Sequence, residues 1–192
     1  MKESILISMI IIIIYIFLFI NRNNVIYIES NTGTKFLVHK DKDKKEKANI
    51  LGILVENLYT LKNHLVKNKN RLSEYGQYID LLSNNFKENK TVVYETDPDS
   101  NLTSYSVNKG EEISFCLRSK KTGNLHDINL LTYVGIHEIS HIACPEIGHG
   151  DLFKKIFRMF AQEAVNIGIY KKVDYAESPT EYCGMILSSS II

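Results

Sequence analysis

Residues 128–143, INLLTYVGIHEISHIA, constrain this chain more than any other stretch. Leu131, Gly135, Ile139 and Ile142 form one helical face, while Leu130 and Val134 lead into a stripe bearing His137 and His141. A helix apolar nearly all round is a buried helix, so the fold must be built around it. Two imidazoles and a carboxylate inside such a helix are costly unless something satisfies them. Positions i and i+4 share a face, so His137 and His141 can bind one zinc through ring nitrogens at about 2.0–2.1 Å. Glu138 points beside the pair, where it reaches a metal-bound water rather than the metal, as a general base must. In a chain of this composition the bare pattern arises by chance about once in a hundred. The plainer alternative is two satisfied core histidines beside an exposed glutamate, and the apolar helix around them argues against it.

A catalytic zinc needs a third protein ligand and an open position for water. Pro145 disfavours helix before it, so the helix must end near Ala143-Cys144. The chain then turns through Pro145–Gly148 and presents His149, followed by Gly150 and a helix capped by Asp151. His149 is therefore the expected third ligand. Glu163 is its main rival, with Glu146 and Glu181 behind it. The next helix, 152–168, carries Phe153, Ile156, Phe157, Phe160, Ala164 and Ile167 on one stripe, which would clamp the His149 turn against the zinc helix. Residues 178–186 are expected to fold back under the site. There Tyr182 is a candidate donor to the tetrahedral oxyanion, and Met185 a candidate floor beneath the zinc.

The second constraint lies at the N-terminus, where residues 4–20 contain no charge. As a helix this run spans about 25 Å against a hydrocarbon core of about 30 Å. Lys2, Tyr15 and Arg22 could anchor its ends. The exit Asn21-Arg22-Asn23-Asn24 lacks a small-residue cleavage pattern, so a retained single-pass membrane anchor over 1–22 is expected in preference to a signal peptide. Basic residues downstream, including the run KDKDKKEK, favour a cytosolic position for residues 23–192.

Between these features the sequence predicts a hairpin over 25–38 and an amphipathic helix over 46–69. A helix over 72–86, a strand at 91–95 and a hairpin joining 104–107 to 112–118 follow. His64 is expected at the core edge, not at a metal. A net charge of +1 gives no reason to expect nucleic-acid binding. Cys116, Cys144 and Cys183 are odd in number and form no CxxC pair. They are expected as small buried residues, with one disulfide and one free thiol as the alternative.

The block NKGEEISFCLR…LLTYVGIHEISHIACPEIGHGDLF, residues 108–153, resembles the WLM-type branch of HExxH metallopeptidases, related in design to the SprT-like group. It looks closest to the uncharacterised zinc peptidases of large DNA viruses. His137, Glu138, His141, His149 and Phe153 match the pattern, although seven residues separate His141 from His149 where the family more often has a shorter turn. The resemblance implies an α+β, small zincin-like domain: an active-site helix with a short sheet and packing helices. It also implies that the strand at 112–118 runs along the cleft and pairs with an extended substrate backbone. The expected function is that of a zinc metalloendopeptidase, with Zn2+ held by His137, His141 and His149, Glu138 as base, and a protein or peptide as substrate. The runner-up is a membrane-tethered scaffold whose zinc is closed off by Cys144, Cys183 or His126. A protease acting on DNA-crosslinked protein is a third reading.

Overall fold

The computed structural model describes the backbone of residues 2–22 and 24–192, and side chains for 6–16 and 24–192. Helix α1 (Lys2–Arg22) is followed by hairpin β1 (Val25–Glu29) and β2 (Lys35–His39), then by the long helix α2 (Lys44–Lys67). Alternation in KFLVH turns Phe36 and Val38 inward while Lys35 faces solvent, giving the half-buried pattern of a sheet covered on one side. Leu51, Leu54, Leu58, Leu61 and Leu65 of α2 are all fully buried, as their helical spacing requires. A 3-10 turn at Ser73–Tyr75 opens α3 (Gly76–Asn85), so the helix expected over 72–86 is split at Gly76.

Strands β3 (Val92–Glu95), β4 (Tyr105–Val107) and β5 (Glu112–Phe115) complete a five-stranded mixed sheet in the order β1-β2-β3-β5-β4. β3 runs parallel to β2 and to β5, and β4 returns antiparallel to β5. Beneath the sheet a buried ion pair ties β3 to the start of α2: Lys47 donates to Glu95 at 2.9 Å and to Asp41 at 2.9 Å. Lys47 is 1% exposed, and only such pairing makes a buried ammonium tolerable.

Helix α4 (Ile128–Ala143) begins where Asp127 accepts from the Asn129 N–H, a standard N-cap. It lies in the core against α2, α3 and α5 (Asp151–Asn166). Its approach to α2 is set by Gly135, where an added Cβ would sit 3.0 Å from Leu58 and 3.1 Å from Leu54. Helix α5 starts at Asp151 itself, with Gly150 in the cap position and no side-chain cap, so Asp151 supplies first-turn charge instead of the expected cap. The chain ends in a second hairpin, β6 (Thr180–Tyr182) and β7 (Met185–Leu187). This is a mixed α+β domain, as the sequence implied.

Two expectations are corrected. Cys116 and Cys183 form a disulfide, so only Cys144 remains as a buried free thiol. Among the described residues no helix is long and apolar enough to cross a membrane, so the anchor expected over 1–22 has no support there. Residues 1–5 and 17–23, the ends of that stretch, lie outside those whose side chains are described.

Candidate metal centre

Helix α4 presents His137 and His141 one turn apart, and the chain after Cys144 doubles back to bring His149 against them. The three Nε2 atoms form a triangle with every side 3.1 Å. Tetrahedral zinc with Zn–N bonds of 2.0–2.1 Å requires N···N separations of about 3.3 Å, so the triangle fits one ion with small adjustment. Three neutral imidazoles cannot satisfy each other in this arrangement, because each facing pair needs a proton and the lone pairs converge on one point. A cation removes that conflict. Among the described residues, this is the one group of three or more His, Cys, Asp or Glu side chains arranged to hold a metal.

Phe153, on the first turn of α5, is the platform of the triad. Its ring stacks on His141 at 4.2 Å and meets His137 and His149 edge-on at 4.9 Å each. Phe157 adds an edge contact to His137 at 5.2 Å. Burial, helped by the neighbouring rings, pushes His137 down to about 3 and His141 to about 4, so both are neutral and ready to donate lone pairs at neutral pH. Glu138 is 4% exposed and burial lifts its carboxyl to about 8. A dication held by the adjacent triad would act in the opposite direction and favour the carboxylate.

The centre opens onto a cavity of about 660 Å³ whose lining includes Glu138, His149, Tyr105, Tyr133, Val134 and Met185. One wall is the segment entering and beginning β4, Thr103–Ser106. The sequence reading put the strand at 112–118 along the cleft; instead β5 is interior, flanked by β3 and β4, and β4 carries the free edge. Three residues in strand form leave too short a pattern to reveal that from sequence.

Tyr182 and Met185 do reach this cavity. The Tyr182 hydroxyl donates to the Cys116 carbonyl at 3.1 Å and also bonds Ser104. Its proton is thus committed to the wall, and burial raises its pKa. Glu163 is drawn away from the triad: His64 donates to it at 2.6 Å and Arg71 at 2.5 Å. Although burial pushes the Glu163 carboxyl up, these partners hold it below the usual carboxylate range. Glu146 is exposed at the cavity rim, and Glu181 accepts from the Gly184 N–H at 2.6 Å. His126 lies 3.3 Å from the Cys183 sulfur, beside the disulfide and outside the triad.

With metal removed, stability should follow the signs of these shifts. Unfolded His137 and His141 protonate near 6.5 but at about 3 and about 4 when folded, so stability is lost as pH falls below 6.5. Unfolded Glu138 ionises near 4.5 but at about 8 when folded, so its contribution declines as pH rises from 4.5 and levels off above 8. Between 4.5 and 6.5 the two histidines outweigh the one carboxyl; between 6.5 and 8 the glutamate acts alone, at a cost of about 2 kcal/mol. The chelated protein should resist urea best near pH 6.5. Glu138→Gln should abolish the decline toward pH 8, and an unchanged decline in that variant would contradict the assignment.

No protein-family model matches the chain. An uncharacterized protein of Acanthamoeba polyphaga mimivirus is 42% identical over 172 residues, covering 89% of this chain and 86% of its own length. An uncharacterized protein of Invertebrate iridescent virus 6 is 34% identical over 43% of this chain and 47% of its own, and one from Invertebrate iridescent virus 3 is 36% identical over 35% and 42%. Among solved structures, Wss1 from Saccharomyces cerevisiae aligns with TM-score 0.48 and 18% identity, covering 66% of this chain and 82% of that one.

Proposed function

We propose that this chain, which belongs to one family with the uncharacterized mimivirus protein, is a zinc-dependent metalloendopeptidase. The observation that carries the reading is the 3.1 Å triangle of His137, His141 and His149 nitrogens at a cavity wall shared with Glu138. Three ligands with an open side suit a catalytic ion, and none of Cys144, Cys183 or His126 joins them as a fourth. That favours catalysis over a closed structural site.

Bound zinc would supply Lewis acidity, lowering the pKa of a water toward about 7 and polarising a carbonyl. The chain's own groups do the rest. Glu138 lies in the turn of α4 that carries the ligands, placed to take a proton from the attacking water and return one to the leaving amine. β4 lies at the edge of the sheet, the position suited to pairing with an extended peptide, which gives affinity that does not depend on side-chain identity. Tyr105, Tyr133, Val134 and Met185 line the cleft with apolar surface suited to peptide side chains.

Location is part of the same reading. Leu6, Ile7 and Met9–Ile16 of α1 are exposed, a stretch that favours association of this helix with an apolar surface. The Cys116–Cys183 disulfide favours an oxidising compartment for the rest of the chain, against the cytosolic side suggested by charge.

The test is metal analysis of the full chain in detergent together with cleavage of an unstructured protein such as casein. The expected result is one zinc per chain and endoproteolysis that stops with chelation and returns with zinc. Stoichiometric zinc without cleavage of any protein in a proteomic profile would favour the scaffold instead.

A further inference from the structure

Between β4 and β5 the backbone of Asn108 (φ 47°), Lys109 (φ 56°) and Gly110 (φ 111°) runs through three consecutive left-handed residues. Glycine adopts that conformation freely, but a lysine there is strained by its Cβ. The turn is pressed into place: a Cβ on Gly110 would lie 3.1 Å from the Asn85 carbonyl and 3.1 Å from the Ile142 side chain. From this position the Lys109 ammonium donates to three carbonyls, His141 at 3.1 Å, Cys144 at 2.6 Å and Glu146 at 3.1 Å.

The first two carbonyls close the C-terminal end of α4, where the last carbonyls have no intrahelical partner and the helix dipole favours a cation. The third belongs to the turn leading to His149. Residues 145–150 are all exposed, and no backbone–backbone hydrogen bond is made within 145–149 among the described residues. Phe153 sets the side on which the His149 ring rests, but the backbone leading to it is tied down by Lys109.

We propose that Lys109 is the positioning residue for the third metal ligand: its ammonium fastens the end of α4 to the following turn and so holds His149 within reach of an ion shared with His137 and His141. Lys109 also lines the cavity, but its ammonium is directed at the three carbonyls, and the inference rests on the zinc reading above.

The test uses the full chain with zinc as the probe, measuring the dissociation constant by competition with a chromophoric chelator. Lys109→Gly removes the anchor and relieves the backbone strain, so its thermal midpoint should be equal to wild type or higher while zinc binding weakens at least tenfold. Lys109→Arg should keep most of the affinity. In a His149→Ala background, adding Lys109→Gly should change affinity less than twofold, because the ligand it positions is gone. Should the glycine variant fail to fold, Lys109→Gln, which keeps the backbone strain, should show the same weakening of zinc binding without the gain in thermal midpoint. Wild-type affinity in both Lys109→Gly and Lys109→Gln, or an undiminished effect without His149, overturns the proposal while leaving the zinc reading intact. A wild-type chain that binds no zinc overturns both.

Discussion

Glu138→Gln leaves one zinc per chain and lowers peptide-bond hydrolysis by about a hundredfold to ten-thousandfold, the range expected for loss of a positioned base. The exchange keeps side-chain volume, so packing around α4 is retained. In the chelated protein it also removes a buried ionisable group whose carboxyl is held up at about 8, so the chelated variant should be no less stable than the chelated wild type. The separation of two readouts makes the result diagnostic. Metal content measured by mass spectrometry reports the triad, and turnover of a fluorescent peptide reports the base. Loss of zinc in parallel with activity would make Glu138 a ligand or a structural residue, and full activity would remove it from the chemistry.

His149→Ala should have the opposite profile, with metal retention failing first. Two helical histidines remain, and the centre drops to two protein ligands where a catalytic zinc needs three. Zinc affinity should fall by at least a hundredfold, with activity lost at any zinc concentration that does not saturate the weakened site. Because His149 is exposed, the substitution leaves no core cavity, and the chelated variant should unfold at the urea concentration of the chelated wild type. Glu163→Ala is the companion measurement. It breaks contacts to His64 and Arg71 and should cost stability while leaving zinc in place. Zinc loss from Glu163→Ala and not from His149→Ala would reverse the assignment of the third ligand.

The parts of this centre readable from sequence are those with local causes. Helix α4 announced itself through apolar periodicity and an Asp127 cap, and Pro145 marked its end four residues ahead of His149. The hidden parts depend on residues distant in sequence. Glu163 looked available as a ligand because its partner His64 is 99 residues away. Tyr182 looked free to donate until the fold brought the Cys116 carbonyl to it across 66 residues. The family resemblance set the strand at 112–118 along the cleft, but edge position is a matter of sheet order, which no single strand encodes. Lys109 left no sequence signal, since a lysine in left-handed backbone runs against its own preference.

The Cys116–Cys183 bond joins residues 67 apart, and His137, Glu138, His141 and His149 all lie between them. The crosslink therefore encloses the whole candidate centre in a single covalent ring. By the chain-entropy relation, closing a loop of that size disfavours the unfolded chain by about 4 kcal/mol. The three histidines already lie within twelve residues of one another in sequence, so the ring acts on the whole unfolded chain and not on their spacing. A metal that binds only the folded centre therefore meets a larger folded population in the oxidised chain, and reduction should weaken apparent zinc affinity without touching a ligand.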